Sequence, residues 1–84
     1  MSVKQFKIKI NSIDKVKRFT TAVSKYESSL DIISGRYLID AKSIMGIFSL
    51  DLTKTLTLNI RISDKTKNEY DNLVKDLKEF IVDE

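Results

Sequence analysis

The side chains that could carry chemistry are few, and the two most versatile kinds are missing. The 84 residues contain no histidine and no cysteine. The first absence removes the usual general base, the commonest metal ligand and any phosphohistidine. The second removes disulfides, thiolate metal sites and cysteine nucleophiles. Hydroxyls and carboxylates remain. Ser43 stands directly before an apolar run of Ile44, Met45, Ile47, Phe48 and Leu50, where a hydroxyl can cap a helix by accepting a backbone N–H. Asp14 follows Asn11-Ser12, both capping types, and the positive end of a helix dipole favours a carboxylate in the first turn. There is no Gly-rich phosphate loop, no carboxylate pair in a credible pocket and no metal-ligand cluster. Neither an enzyme, nor a metal, nor another cofactor is expected.

The elements that must position these groups follow in quick succession. Phe6, Ile8 and Ile10 alternate with Gln5, Lys7 and Lys9, so residues 3–10 predict a strand with one wet face. Val16, Phe19, Val23 and Tyr26, with Ile13 and Ala22 near the same stripe, predict a helix over about 13–27. Leu30–Ile33 and Arg36–Ile39 read as a hairpin turned at Ser34-Gly35. That turn pairs Ile33 with Arg36 and Ile32 with Tyr37, and puts Leu30, Ile32, Tyr37 and Ile39 on the buried face. Ser43 caps a short helix in which Gly46 costs about 1 kcal/mol against Ala, and close packing is the expected reason for it. Leu56, Leu58, Ile60 and Ile62 alternate with polar residues, the clearest strand in the chain. Thr66 and Glu69 have capping-box spacing, and the stripe from Tyr70 to Ile81 extends a last helix over about 66–82. Tyr26, Tyr37 and Tyr70 all lie on apolar stripes and are expected in the core. The order βαββαβα, with half-apolar strands, implies an α+β fold: an antiparallel sheet of four strands with three helices on one face. The other face stays wet except for an apolar spot at Ile33 and Leu38.

Length, charge and hydropathy set the frame. Eighty-four residues suit one domain, 1–84. The net charge is +3, divided as +6 over residues 1–63 and −3 over 64–84. A basic body suits an acidic partner surface or a nucleic acid. No apolar run is long enough to span a bilayer and no signal-peptide pattern is present, so a cytoplasmic monomer without membrane contact is expected.

The run Ala41-Lys42-Ser43-Ile44-Met45-Gly46-Ile47-Phe48-Ser49-Leu50 closely resembles the regulatory-serine region of HPr, the small phosphocarrier of the bacterial sugar phosphotransferase system. The element order also fits the whole length of that fold, an open-faced β-sandwich. The family's Gly-[Ile/Leu]-His-Ala-Arg-Pro-Ala signature is not kept. The matching stretch is Ser12-Ile13-Asp14-Lys15-Val16-Lys17-Arg18, with Asp14 in the place of the phosphorylated histidine and Val16 in that of the arginine. The interval from there to Lys42 is shorter than in HPr by less than one helical turn. Placing the deletion in the first helix brings Arg18 towards the lost arginine's position. In lacking the histidine while keeping the serine, the chain resembles the catabolite-repression, Crh-type HPr homologues.

The resemblance implies a degenerate phosphocarrier site and a non-catalytic binding module, regulatory through phosphorylation of Ser43. The implied partners are an HPr-type serine kinase, an enzyme I-like protein or a transcriptional regulator. Partner contact is expected from Lys15, Lys17, Arg18 and Lys25 on or near the first helix, and from Lys42, Met45, Ile47 and Phe48 around the second. That helix is too short to bury all its large side chains, so Ile44, Ile47 and Leu50 are expected mostly inside and Met45 and Phe48 mostly outside. Two alternatives stand. One is a phosphocarrier using another acceptor, for which Asp14 lacks the neighbouring carboxylates that would hold Mg²⁺. The other is a nucleic-acid-binding module using Lys7, Lys9 and Arg61 on the open sheet face, which lacks aromatic residues for stacking.

Overall fold

A computed structural model describes residues 2–82. Its elements are β1 (Ser2–Ile8), α1 (Ile13–Ser24), β2 (Ser29–Ser34), β3 (Tyr37–Asp40), α2 (Ile44–Phe48), β4 (Leu56–Ile62), a 3₁₀ turn (Lys67–Glu69) and α3 (Tyr70–Leu77). The strands form one sheet in the order β1-β4-β2-β3, and every pairing is antiparallel. The α+β architecture expected from the strand patterns is the one found.

Strand alternation decides which face is covered. Ile8, Leu30, Ile32, Leu56, Leu58 and Ile60 point to one side, where they meet Val16, Phe19 and Val23 of α1, Ile47 of α2, and Leu73 and Leu77 of α3. Phe80 closes this core by standing edge-on to Phe19, with ring centroids 5.4 Å apart and planes at 86°, a favoured arrangement for an aromatic pair. The opposite face is polar. One row across it runs Gln5, Asn59, Asp31, Asp40, and the next runs Lys7, Thr57, Ile33, Leu38.

Four local expectations are corrected. β1 ends at Ile8, although Ile10 is still buried. Beyond Ile8 the pairing with β4 stops, while the outer side of the chain stays bonded to the terminal segment, Lys9 N donating to the Phe80 carbonyl at 2.9 Å. α1 ends at Ser24, and Lys25 and Tyr26 close it with tighter bonds to the carbonyls of Ala22 and Val23. In the hairpin, Ser34 pairs with Tyr37 and Ile32 with Ile39, so the turn residues are Gly35-Arg36. Gly35 takes φ +59°, a positive angle that glycine supplies at the first central position. The two-residue shift in register keeps the facing of each side chain but moves Tyr37 to the hairpin tip, past the helices. It is 63% exposed and not core.

The last helix is also shorter than its apolar stripe. It is a 3₁₀ turn followed by eight α-helical residues, ending at Leu77. The edge of β1 competes for the rest: Val82 N donates to the Lys7 carbonyl at 2.8 Å, and Ile81 bridges Ile8. The Thr66/Glu69 capping box does not form. The Glu69 carboxylate instead accepts from Glu27 N (3.2 Å), Ser28 N (3.0 Å) and the Ser28 hydroxyl (2.7 Å), fastening the start of α3 to the segment after α1.

Candidate functional site

The two capped helix starts lie apart: α1 begins beyond the end of β1, whereas α2 begins beside the C-terminal end of α1, where Lys42 reaches the Tyr26 carbonyl. Ser12 caps α1, its hydroxyl accepting from Lys15 N at 3.1 Å. This sets Asp14 in the first turn and Arg18 one turn on. The spacing is that of neighbours on a helix surface, and Arg18 holds Asp14 at 2.8 Å. The other guanidinium nitrogen reaches Glu79, beyond α3, at 3.1 Å. Arg18 is therefore shared between two carboxylates. Lys15 and Lys17 make no salt bridge among the described residues.

Ser43 caps α2 as its position predicts, accepting from Gly46 N at 3.3 Å, while its carbonyl accepts from Ile47 N at 3.0 Å. Gly46 has the packing reason anticipated for it. A Cβ there would lie 2.7 Å from the Ile39 Cγ2 methyl and 3.1 Å from the Ser43 hydroxyl oxygen. The Ile39 methyl sits on a β-branched side chain that cannot swing aside cheaply, so the glycine lets α2 rest on β3.

The four large side chains of α2 divide by helix face. Ile47 is fully buried and Ile44 half-buried, with Leu50 half-buried just beyond. Met45 is 77% exposed and Phe48 38%. The expected division holds for Ile44, Ile47, Leu50 and Met45, whereas Phe48 is only partly outside. Ile47 is accordingly withdrawn from the partner-binding residues, because its side chain belongs to the core. Ile13 at the start of α1, expected near the apolar stripe of that helix, is 64% exposed.

Besides Arg18, two more of the expected partner-contacting cations are engaged inside the chain. Lys42 Nζ donates to the Tyr26 carbonyl at 2.7 Å, next to the C-terminal end of α1, where a cation is favoured. Lys25 lies 3.2 Å from Asp76. Asp76 also accepts from the Tyr26 hydroxyl at 2.5 Å. That bond, with burial and the charge of Asp76, pushes the Tyr26 phenol up to about 12. The same bond, followed by the contact with Lys25, lowers the Asp76 carboxyl. Glu69 is lowered chiefly by the Ser28 hydroxyl. Sequence reasoning missed the partners of Glu69, Asp76 and Glu79, which lie 41 to 61 positions away.

The open face disposes of its cations differently. Lys7 Nζ donates to the Thr57 hydroxyl at 2.9 Å, the Gln5 amide donates to Asn59, and Arg61 pairs with Asp31. Lys9 lies beyond the end of β1. Among the described residues no group of three or more potential ligands could hold a metal, and no helix is long and apolar enough to cross a membrane.

A family model described as the PTS HPr component phosphorylation site matches residues 14–83. The structure is similar to the crystal structure of HPr-C-His from Thermoanaerobacter tengcongensis, with TM-score 0.68 and 27% identity over 94% of this chain and 92% of that one. It also shares the fold of the phosphocarrier protein HPr from Bacillus anthracis str. Ames, with TM-score 0.65 and 19% identity over 90% and 98% of the two chains. A search of curated proteins finds no match. The helix order, the capped α2 and a family match over most of the length agree: this chain belongs to the HPr family of the phosphotransferase system, whose members are phosphocarriers and not catalytic enzymes.

Proposed function

We propose that this HPr-family chain works as a protein-interaction module of sugar phosphotransferase or carbon-catabolite control, and not as a phosphoryl relay. The observation that carries the reading is the pairing of Asp14 with Arg18 in a chain without histidine. The position that would relay phosphate holds a carboxylate already engaged by a guanidinium. On α2 the Ser43 cap is intact and Met45 and Phe48 are exposed. Docking then falls to Met45, Phe48, Lys15 and Lys17, with Arg18, Lys25 and Lys42 contributing only as far as their internal partners allow. The partner is an acidic protein surface with an apolar spot, of the kind an enzyme I-like protein, serine kinase or transcriptional regulator presents.

Ser43 is the switch in this reading. Phosphate adds about −1.5 to −2 charge at neutral pH, and at a helix start it meets N–H groups that tolerate it. Fold and modification are therefore compatible, while the surface next to Met45 changes sign. A carrier using Asp14 as acceptor is disfavoured by the Arg18 pairing and by the lack of neighbouring carboxylates for Mg²⁺. A nucleic-acid-binding role on the open face is disfavoured because Lys7 and Arg61 are held within the sheet.

Two assays test the proposal. Incubation with labelled phosphoenolpyruvate and enzyme I should leave the chain unlabelled; stable, transferable label would overturn the non-relay reading. A pull-down comparing wild type with Ser43→Asp should recover different partners. Identical partner sets, with no Ser43-dependent mass increase from an HPr-type kinase, would reduce Ser43 to a plain cap.

A further inference from the structure

The two edges of the sheet are finished differently. The outer edge of β1 is covered by the segment after α3, through Lys9 N to the Phe80 carbonyl, Val82 N to the Lys7 carbonyl and the Ile8–Ile81 bridge. The outer edge of β3 has no such cover among the described residues. The hairpin fixes which of its backbone groups are free. Ala41 N donates to the Leu30 carbonyl at 2.9 Å. Bonded pairs alternate along an antiparallel ladder, so Ile39 and Tyr37 also turn their N–H and C=O groups towards β2. Those of Leu38 and Asp40 point outward.

The side chains on this edge are arranged about a centre. Arg36-Tyr37-Leu38-Ile39-Asp40 carries a cation at one end, an anion at the other and three apolar residues between. Leu38 is 58% exposed. Neither Arg36 nor Asp40 makes a salt bridge among the described residues. Asp40 also stands directly across from Asp31, and opposed like charges weaken a sheet. Arg61 offsets Asp31, whereas among the described residues the Asp40 carboxylate accepts only the Lys42 backbone N–H.

We propose that β3 pairs antiparallel with β3 of a second copy of this chain, about a two-fold axis through Leu38. This surface is distinct from the Ser43 reading and goes beyond the monomer expected from sequence. In that register Leu38 faces the partner's Leu38, next to Ile33 on the open side. Tyr37 lies beside the partner's Ile39, and Arg36 meets the partner's Asp40 in both directions. The leucine pair exchanges two backbone bonds, and Asp40 N–H reaches the partner's Arg36 carbonyl. The Asp40 carbonyl already accepts Ser43 N at 2.9 Å, which limits the pairing to a short ladder. Moving the axis to Tyr37 or Ile39 sets Leu38 against a charged residue and separates the opposite charges. An axis between residues puts inward-turned backbone groups opposite outward-turned ones. The short strand makes the association weak and concentration-dependent, and a two-fold operator closes it at the dimer.

Sedimentation equilibrium on the full chain, from micromolar to millimolar, tests this. A monomer–dimer equilibrium is expected. Leu38→Lys alters an exposed side chain, so it should leave the fold intact by circular dichroism and weaken association at least about tenfold. Arg36→Asp and Asp40→Lys should each fail to self-associate, yet form a heterodimer when mixed. Filtered NOEs between differently labelled wild-type chains should connect Leu38 to the partner's Leu38, an independent check should Asp40→Lys unfold. A chain monomeric through the millimolar range would overturn the proposal and leave the edge to solvent or another partner, as would undiminished association of Leu38→Lys. NOEs in another register, or no rescue from two folded charge variants, would overturn this pairing.

Discussion

The open face of the sheet and the helical layer both carry cations on a polar surface, yet they differ in what those cations do. On the open face Lys7 and Arg61 are bound to neighbours in the next strand, so a ligand would have to displace those contacts. In the helical layer Lys15 and Lys17 of α1 have no ionic partner among the described residues, and Met45 and Phe48 of α2 stand exposed. Charge counts treat the two regions alike. Partnering separates them and directs the search for a binding surface to the helices.

The sharpest test lies within α2 itself. Ile47→Ala should cost about 2–5 kcal/mol of stability in urea denaturation, as for a buried aliphatic side chain. Phe48→Ala should cost under about 1.5 kcal/mol, against 3–5 for a fully buried phenylalanine, and Phe48→Ala and Met45→Ala should weaken partner binding. If Phe48→Ala matched Ile47→Ala in stability, the apolar residues of α2 would be core and the contrast with the open face would collapse.

Gly46→Ala comes next. Helix propensity alone would favour alanine by about 1 kcal/mol, but the added methyl must displace Ile39, and overpacking costs about 1–3 kcal/mol. A net loss in thermal denaturation is expected; a gain would mean that α2 can lift off β3.

Ser43→Ala should cost about 1 kcal/mol through the lost cap. Ser43→Asp should hold stability within about 1 kcal/mol while changing partner affinity by more than about tenfold. Stability is measured by denaturation and affinity by titration calorimetry.

The smallest effects sharpen the comparison from the other side. Lys7→Ala should change stability by no more than about 0.5 kcal/mol and leave partner binding unchanged, whereas Lys15→Ala and Lys17→Ala should weaken it in a salt-dependent way. A change in Tyr26 ionisation marks the back of the helical layer. With its phenol raised from the ordinary 10.0 to about 12, the Tyr26–Asp76 bond contributes fully below pH 10 and loses that contribution as pH rises through 12. Asp76, being lowered, contributes above its ordinary value of 3.8 and loses that contribution as pH falls. Tyr26→Phe should flatten the alkaline decline, read from melting temperature against pH.

What could be read from the residues was local and periodic. The alternation in β1 and β4, the α1 stripe, the Ser43 cap and the division of α2 side chains each depend on residues a few positions apart. Placing Asp14 at the family's histidine position needed only the resemblance around Ser43. Unreadable parts depended on distant competition. Glu69 has the spacing of a capping box and is taken instead by Ser28. The stripe through Phe80 and Ile81 is helical in pattern, yet its end is claimed by the β1 edge. Hairpin register turned on which central position Gly35 fills, and a single glycine suits either. Lys42 looked free because nothing in its neighbourhood predicts the Tyr26 carbonyl.

The strand order β1-β4-β2-β3 also governs when the molecule can form. Among the described residues β1 pairs with β4 and with no other named strand, in a register that sets Ile8 against Leu56 and Ser2 against Ile62. Its hydrogen bonds therefore wait until more than half the chain has been synthesised. The β2–β3 hairpin is the only sheet pairing among the described residues that can close early. At a synthesis rate of about 5–20 residues per second, the first strand stays unpaired for seconds, exposing Phe6 and Ile8 before β4 arrives. Pairings distant in sequence close slowly as well as late. Lys4, Lys7 and Lys9 lie within and next to this waiting segment, and their like charges keep nascent copies apart during that interval.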